Sequence, residues 1–257
     1  MPLTVLAVGD VVSDAGVDYL ARHLPSLQRL HRVDFTVVNG ENAAGTGLLP
    51  RQADDILSAG ADVITLGNHT YGRHQIFDRL DDDPRLLRPA NYAGVRPGRG
   101  WGVFPCGGYR VGVLNLIGRC SLEWGADNPF LTADKALKDM AGADFLLVDF
   151  HAEATSEKLA MAHDLDGRAA ALWGTHTHVP TADARIFPGG LGYITDLGMT
   201  GPADGVIGIR AEQSVTLFRG GLPGRFEPAK GPCKLEACLF TLDGGRCTGI
   251  EQILIRD

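Results

Sequence analysis

Short apolar runs recur along the chain, and most stop directly at a glycine or a polar residue. Residues 3–8, 35–38, 62–66, 110–116, 145–150 and 169–173 form this series. A continuous apolar run has no solvent face, so each predicts a strand covered on both sides, as in a parallel sheet. Between the runs, apolar residues return at helical spacing. Ser13 or Asp14 predicts the cap of a helix with Val17, Leu20, Ala21 and Leu24 inward. Pro50 suits the first turn of a second helix, with Ala53, Ile56 and Leu57 inward. Residues 73–80 predict a third, stopped by Asp81-Asp82-Asp83-Pro84, whose aspartates read as a solvated helix end. Residues 134–140 and 157–165 predict two more, the latter capped by Ser156.

The later chain changes character. Residues 91–108 are rich in Gly and Pro and predict loop. Residues 184–187 and 191–195 predict a hairpin across Pro188-Gly189-Gly190. Residues 205–218 predict a helix, and residues 233–242 and 246–255 a closing strand pair around Asp243-Gly244-Gly245. Early strand–helix alternation followed by strand pairs predicts a layered α/β sandwich rather than one doubly wound sheet. No repeat or linker divides residues 1–257, so one domain is expected.

Composition narrows the partners. A net charge of −7 argues against a broad nucleic-acid or anionic-lipid surface. No apolar run approaches the roughly 20 residues needed to span a bilayer. Five cysteines without a Cys-x-x-Cys pair, and no secretion signal, predict reduced thiols in a cytoplasmic protein. A homo-oligomer is compatible with the sequence.

The chemistry gathers where the apolar runs stop. Five strand ends carry metal-competent groups: Asp10; Glu41 with Asn42; Asn68 with His69; His151; and His176 with His178. On an extended chain residues i and i+2 project to the same side, so the His-x-His pair aims beyond its strand end. Ligands usually bind at that edge in open α/β sheets. Carboxylate, amide oxygen and imidazole together suit Mn, Fe, Ni or Zn. One tetrahedral zinc needs only four ligands. The surplus fits two ions about 3.5–4 Å apart, with Glu41 as the bridge. Other motifs fail. The Gly40–Gly47 stretch lacks the Gly-Lys-Ser/Thr ending of a P-loop, and no Gly-x-Ser-x-Gly occurs. Val179-Pro180 follows the histidine pair, not the Asp-His of metallo-β-lactamase-type enzymes.

Asn39-Gly40-Glu41-Asn42-Ala43-Ala44-Gly45, Gly67-Asn68-His69, the stretch from Asp149 to Lys158, and Gly174-Thr175-His176-Thr177-His178 together resemble the YmdB-like branch of the calcineurin-like metallophosphoesterases. Residues 115–119 and 193–202 extend the resemblance over nearly the whole chain. It implies a four-layer αββα sandwich of two mixed sheets flanked by helices. It also implies two divalent or mixed-valence transition metal ions, Fe or Mn before Zn, Ni or Co. One ion would take Asp10, Glu41, Asn42 and His178, the other Glu41, Asn68, His151 and His176. His69 would be the general acid or a cation on the phosphate. The implied activity is hydrolysis of small phosphodiesters, 2′,3′-cyclic nucleotides such as 2′,3′-cAMP foremost, by a hydroxide bridging the metals. The alternatives are a phosphomonoesterase or RNA-directed nuclease at the same site, or a regulatory binding protein with structural metals. Two departures stand out. The Asp-x-His of the wider superfamily reads Asp10-Val11-Val12, and the branch's Trp-Asp after the catalytic histidine reads Tyr71-Gly72. Arg119 is expected to contact a substrate phosphate or to form a structural ion pair. Glu153, Thr155 and Lys158 are expected to support the His151 loop and cap the next helix.

Overall fold

Alternation within the strands sorts the apolar residues into layers. In the first strand, Leu3, Val5 and Ala7 face one core while Leu6 and Val8 face another. The structure, a computed structural model, describes residues 2–122, 125–222 and 224–257. In chain order the elements are β1 (Leu3–Val8), β2 (Asp10–Val11), α1 (Ser13–His31), β3 (Phe35–Asn39), α2 (Pro50–Ser58), β4 (Val63–Thr65), α3 (Phe77–Asp82), β5 (Leu86–Leu87), β6 (Trp101–Cys106) and β7 (Tyr109–Ile117). There follow α4 (Pro129–Asp139), β8 (Phe145–His151), α5 (Thr155–Leu165), β9 (Ala171–Thr175), β10 (Arg185–Ile186), β11 (Gly192–Ile194), β12 (Met199–Pro202), α6 (Ala211–Phe218), β13 (Cys233–Asp243) and β14 (Arg246–Arg256).

Two mixed sheets result. In the first, β1, β3, β4 and β5 run parallel, β13 joins antiparallel to β1, and β14 pairs with β13. In the second, β7, β8, β9 and β11 are parallel, with β6 and β10 antiparallel at its edges. The sheets face each other across Val5, Phe35, Val113, Phe145, Trp173 and Phe240. The outer face of the first sheet packs on α1–α3, and that of the second on α4 and α5. This is the expected αββα order of layers. No helix among the described residues is long and apolar enough to cross a membrane.

Several local expectations are corrected. Residues 101–106 form β6 instead of loop, paired antiparallel with β7. Gly102 and Pro105 mask it in the sequence, and proline is tolerated there because β6 is an edge strand. β2 and β12 are too short to show as apolar runs, yet Met199 pairs with Asp10 and fixes its position. The helix starts are not capped as read: Val12 and Ala154 hold the cap positions of α1 and α5 without a side-chain bond. Ala21 is exposed on α1, whose inner face uses Tyr19 and Leu27 as well as Val17, Leu20 and Leu24. Asp83 is no solvated end. It is buried and accepts from Arg85 Nε at 2.9 Å and Nη2 at 2.7 Å. Those bonds hold its carboxyl below the usual range.

Candidate metal centre

Along the inward faces of both sheets, apolar residues give way to polar ones at the carboxyl ends. In β3 the series is Phe35, Val37, Asn39; in β4, Val63, Thr65; in β8, Phe145, Leu147, Asp149; and in β9, Ala171, Trp173, Thr175. The polar members meet between the sheets. Asp149 Oδ1 accepts from the Thr175 hydroxyl at 2.7 Å, and Asp149 Oδ2 from Thr65 Oγ1 and from Asn39 Nδ2 at 3.2 Å. Burial pushes the Asp149 carboxyl up, against the pull of these hydroxyls. One further step along β8 brings His151 to the rim, fully buried. One step past β3 brings Glu41, whose N–H donates to Asn39 Oδ1 at 3.2 Å.

The rim gathers the sequence-predicted groups. His151 Nε2 lies 3.0 Å from Glu41 Oε1, 3.0 Å from Asn68 Oδ1 and 3.2 Å from His176 Nδ1. Donor atoms of Glu41, His151 and His176 all lie within 4.8 Å of one another. Alongside, His178 Nε2 is 3.1 Å from Asn42 Nδ2 and 3.7 Å from Asp10 Oδ1. Asn42 Nδ2 also donates to Glu41 Oε1 at 3.1 Å, so Glu41 joins the two groups. Each imidazole keeps one nitrogen on the cluster and ties the other elsewhere. His151 Nδ1 bonds Thr175 Oγ1 at 2.9 Å, His176 Nε2 bonds Glu153 Oε2 at 3.0 Å, and His178 Nδ1 donates to the Ile207 carbonyl at 3.1 Å. Such outer bonds fix tautomer and ring orientation in metal sites.

The donor chemistry fits a cation. Thr175 spends its proton on Asp149, so its oxygen accepts from His151 Nδ1 and leaves Nε2 facing the acceptors Glu41 Oε1 and Asn68 Oδ1. Asp10 Oδ1 is buried with no hydrogen-bond partner among the described residues, although Oδ2 accepts from the His176 N–H at 3.1 Å. A buried acceptor left alone is costly unless a cation or donor reaches it. Without metal, one proton takes that part. Burial opposes a charge on His151, but Glu41 overrides it and carries the pKa up to about 9. Burial likewise opposes the Glu41 charge, and His151 overrides it, bringing Glu41 down to about 2. Burial raises Asp10 to about 6 against His178 and His151, and burial with the nearby His151 charge lowers His176 to about 3. One residue differs from expectation in detail. Asn42 turns its amide nitrogen, not its oxygen, to the cluster, because Glu41 and His178 both need a donor there. Holding a cation requires that amide to turn over.

The turns that carry these groups are strained. β9 ends at Thr175, so His176 and His178 do not share a strand face; their φ angles are 102° and 61°. This left-handed turn separates the rings, with His176 beside His151 and His178 beside Asn42. Ile207, a β-branched residue, sits at φ 46° and presents its carbonyl to His178. Such strain persists only where the surroundings over-determine it. Lys158 supplies part of that support. It is fully buried and donates to the Thr175 carbonyl at 3.0 Å and to Asp196 Oδ2 at 2.8 Å. Asp196 Oδ2 also accepts from the Thr177 N–H at 3.2 Å. Lys158 therefore braces the His-x-His turn and caps nothing. Gly67 is required by space: a Cβ there would lie 2.3 Å from both Glu41 Oε2 and His151 Nε2.

His69 stands half-buried beside the cluster. Its N–H donates to Glu41 Oε2 at 3.1 Å, and its Nε2 lies 3.3 Å from Asn68 Nδ2. Tyr71 turns away to the Pro97 carbonyl, and a Cβ on Gly72 would meet the Thr46 carbonyl at 2.8 Å. Asn68, not residues 71 and 72, is thus the neighbour of the His69 ring. Arg119 makes no ion pair among the described residues: its side chain is exposed, and its N–H donates to Glu157 Oε1 at 3.0 Å.

Comparison with known proteins identifies the family. The family described as YmdB-like protein matches residues 6–253. A 2′,3′-cyclic-nucleotide 2′-phosphodiesterase of Bacillus subtilis is 44% identical over 259 residues, covering 99% of this chain and 98% of its own. A hypothetical protein from Thermus thermophilus superposes with a TM-score of 0.93 at 38% identity, over 99% of this chain and 100% of that one. The crystal structure of a novel phosphatase from Mycoplasma pneumoniae also gives 0.93, at 34% identity over 100% and 94% of the chains. The match over nearly the whole sequence and the 44% identical relative show that the chain belongs to the YmdB-like family.

Proposed function

We propose that this chain is a phosphodiesterase acting on 2′,3′-cyclic nucleotides with two transition metal ions at the rim. The observation that carries the reading is the histidine arrangement. Three imidazoles each point one nitrogen at a shared acidic cluster while the other is tied to a hydroxyl, a carboxylate or a carbonyl. Glu41, Asn68, His151 and His176 would hold one ion, and Asp10, Glu41, Asn42 and His178 the other. When bound, two such ions polarise phosphoryl oxygens and make water a nucleophile near neutral pH. The chain's own groups do the rest. Glu41 Oε1 meets both halves of the cluster, His151 at 3.0 Å and Asn42 at 3.1 Å, and Asp149 with Thr175 keeps a proton on His151 Nδ1, so that Nε2 is the nitrogen offered for ligation. His69, half-buried and outside the imidazole trio, holds a proton for the departing sugar oxygen. The relative in Bacillus subtilis, with the activity its name states, supports the substrate class.

The test is direct. His178→Ala and Asn68→Ala should each lose most hydrolysis of 2′,3′-cAMP and bind less metal, while their circular dichroism stays that of the parent. Full activity in either variant would remove that residue from the site. A panel of 2′,3′-cyclic nucleotides, mononucleotides and short RNA, assayed on metal-loaded protein, should show the cyclic diesters turned over fastest.

A further inference from the structure

A cleft of about 730 Å³ opens beside the Asp10, Asn42 and His178 corner, within the ~300–1,000 Å³ range usual for small-molecule sites. Its wall adjoins that corner along the chain, since Val12, Ser13 and Ala43 line it. Val12 bridges Asn42, and the Ser13 N–H donates to the Asn42 carbonyl at 3.0 Å. Ile209, two residues past the carbonyl that receives His178, lines the far side. Val12, Ala43, Ala44, Leu49, Ile209 and Phe226 make most of the wall apolar.

We propose that this cleft is the nucleoside subsite, with the base stacked on Phe226; the proposal rests on the phosphodiesterase reading above. Phe226 lines the cleft and is 44% exposed, so its ring is open to a ligand there. Its segment is nonetheless pinned. The Arg225 carbonyl accepts from Gln213 Nε2 at 2.9 Å, and the Glu227 N–H donates to Gln213 Oε1 at 2.8 Å. Arg210 and Ala229 add backbone bonds on the far side. A ring held in place and left open offers a stacking platform of the kind that binds bases regardless of their identity. The polar groups on the wall suit the edges of a nucleoside. Ser13 is nearly fully buried, and its Oγ has no hydrogen-bond partner among the described residues. Arg73 donates from Nη2 to the Ala44 carbonyl at 2.7 Å while its Nε is buried without a partner among the described residues. The one carboxylate on the wall, Asp14, is already engaged by Arg51 and Gln52, both at 2.8 Å. The cleft therefore has apolar walls, an aromatic ring and guanidinium groups, with unmatched hydrogen-bonding atoms of Ser13 and Arg73 buried in its wall.

The experiment compares 2′,3′-cAMP with ribose 2′,3′-cyclic phosphate, which has the same scissile diester and no base, on metal-loaded enzyme. Wild type should favour the nucleotide in kcat/KM by about tenfold or more. Phe226→Ala should shrink that preference by about 5- to 100-fold, mainly through KM, as for the loss of one base–aromatic stack. Phe226→Trp should keep most of it. A wild-type ratio near one, or an unchanged ratio in Phe226→Ala, would overturn the subsite and leave the phosphodiesterase reading standing. Wild-type protein that hydrolyses neither compound would bring down the phosphodiesterase reading itself, and the subsite with it.

Discussion

The two halves of the rim are built from different atoms and held in different ways. The first sheet and its turns bring oxygens and amides: Asp10, Glu41, Asn42 and Asn68. The second brings nitrogens: His151, His176 and His178. Backbone N–H groups hold the carboxylates, with His69 on Glu41 Oε2 and His176 on Asp10 Oδ2, both at 3.1 Å. Each imidazole instead leans on a separate acceptor, which is buried for His151 and half exposed for His176. A carboxylate offers two equivalent oxygens, so position alone suffices for it. An imidazole must also choose which nitrogen carries the proton, and only an outer partner makes that choice. The oxygen half should therefore fail when space is taken from it, and the nitrogen half when a proton acceptor is removed.

Gly67→Ala gives the largest expected effect. The added Cβ would lie 2.3 Å from Glu41 Oε2 and His151 Nε2, so both must leave their places. Metal loading and hydrolysis should be nearly abolished while the far-UV spectrum is retained; a variant with wild-type metal content would show that the cluster is looser than these distances imply. Thr175→Val comes next. It takes the acceptor from His151 Nδ1 and a donor from Asp149 together. The expected cost is about 10–100-fold in metal affinity or activity, typical for outer partners of metal-bound histidines. Thr175→Ser, which keeps the hydroxyl, should recover most of it. Glu153→Gln should cost less than about fivefold, because Glu153 is 51% exposed and water screens the pair. If Glu153→Gln proved worse than Thr175→Val, the contrast between a buried and a screened acceptor would be wrong.

How much of this was legible in the sequence depends on how local the cause is. Continuous apolar runs reveal β1, β3, β8 and β9, because burial on both faces leaves no polar positions. The same runs locate Glu41, Asn68, His151 and the His-x-His turn as strand ends, and their motif context names the family. Elements fixed by pairing partners distant in sequence stay hidden. β2 and β12 exist because residues 10 and 199 meet, and β6 because an edge strand tolerates Pro105. The supports of the site were hidden for the same reason. Asp149 lies inside an apolar run, two residues before His151, and its place at the head of the Asp149–Lys158 motif gives no sign of the bonds it makes to Asn39, Thr65 and Thr175. Lys158 reads as a support of the His151 loop and a cap for the next helix, and its brace on the His-x-His turn shows only when Asp196, 38 positions on, is folded against it. The Ile207 carbonyl carries no sequence signal at all.

The smallest effect, about 1 kcal/mol per pH unit for one proton, tests whether a proton stands in for the missing positive charge. In metal-free protein His151 is raised to about 9, against about 6.5 when unfolded. Between those values the native state holds a proton that the unfolded chain has released. Stability from this source is thus complete below about 6.5 and is lost as pH rises toward 9. Asp10, raised to about 6, is still losing its proton at the low edge of this window and acts in the same direction, and Glu41, lowered to about 2, has finished titrating. His176, lowered to about 3, opposes the fall only near pH 6.5, where the unfolded chain still releases that proton. A bound cation displaces that proton, and its affinity increases as protons become scarcer. Urea unfolding in chelator should therefore show stability falling between about pH 7 and 8.5, whereas the same protein in excess Mn²⁺ should hold steady or gain. Parallel slopes in the two conditions would mean that the cation does not take the place of the His151 proton, and the nitrogen half of the rim would need another explanation.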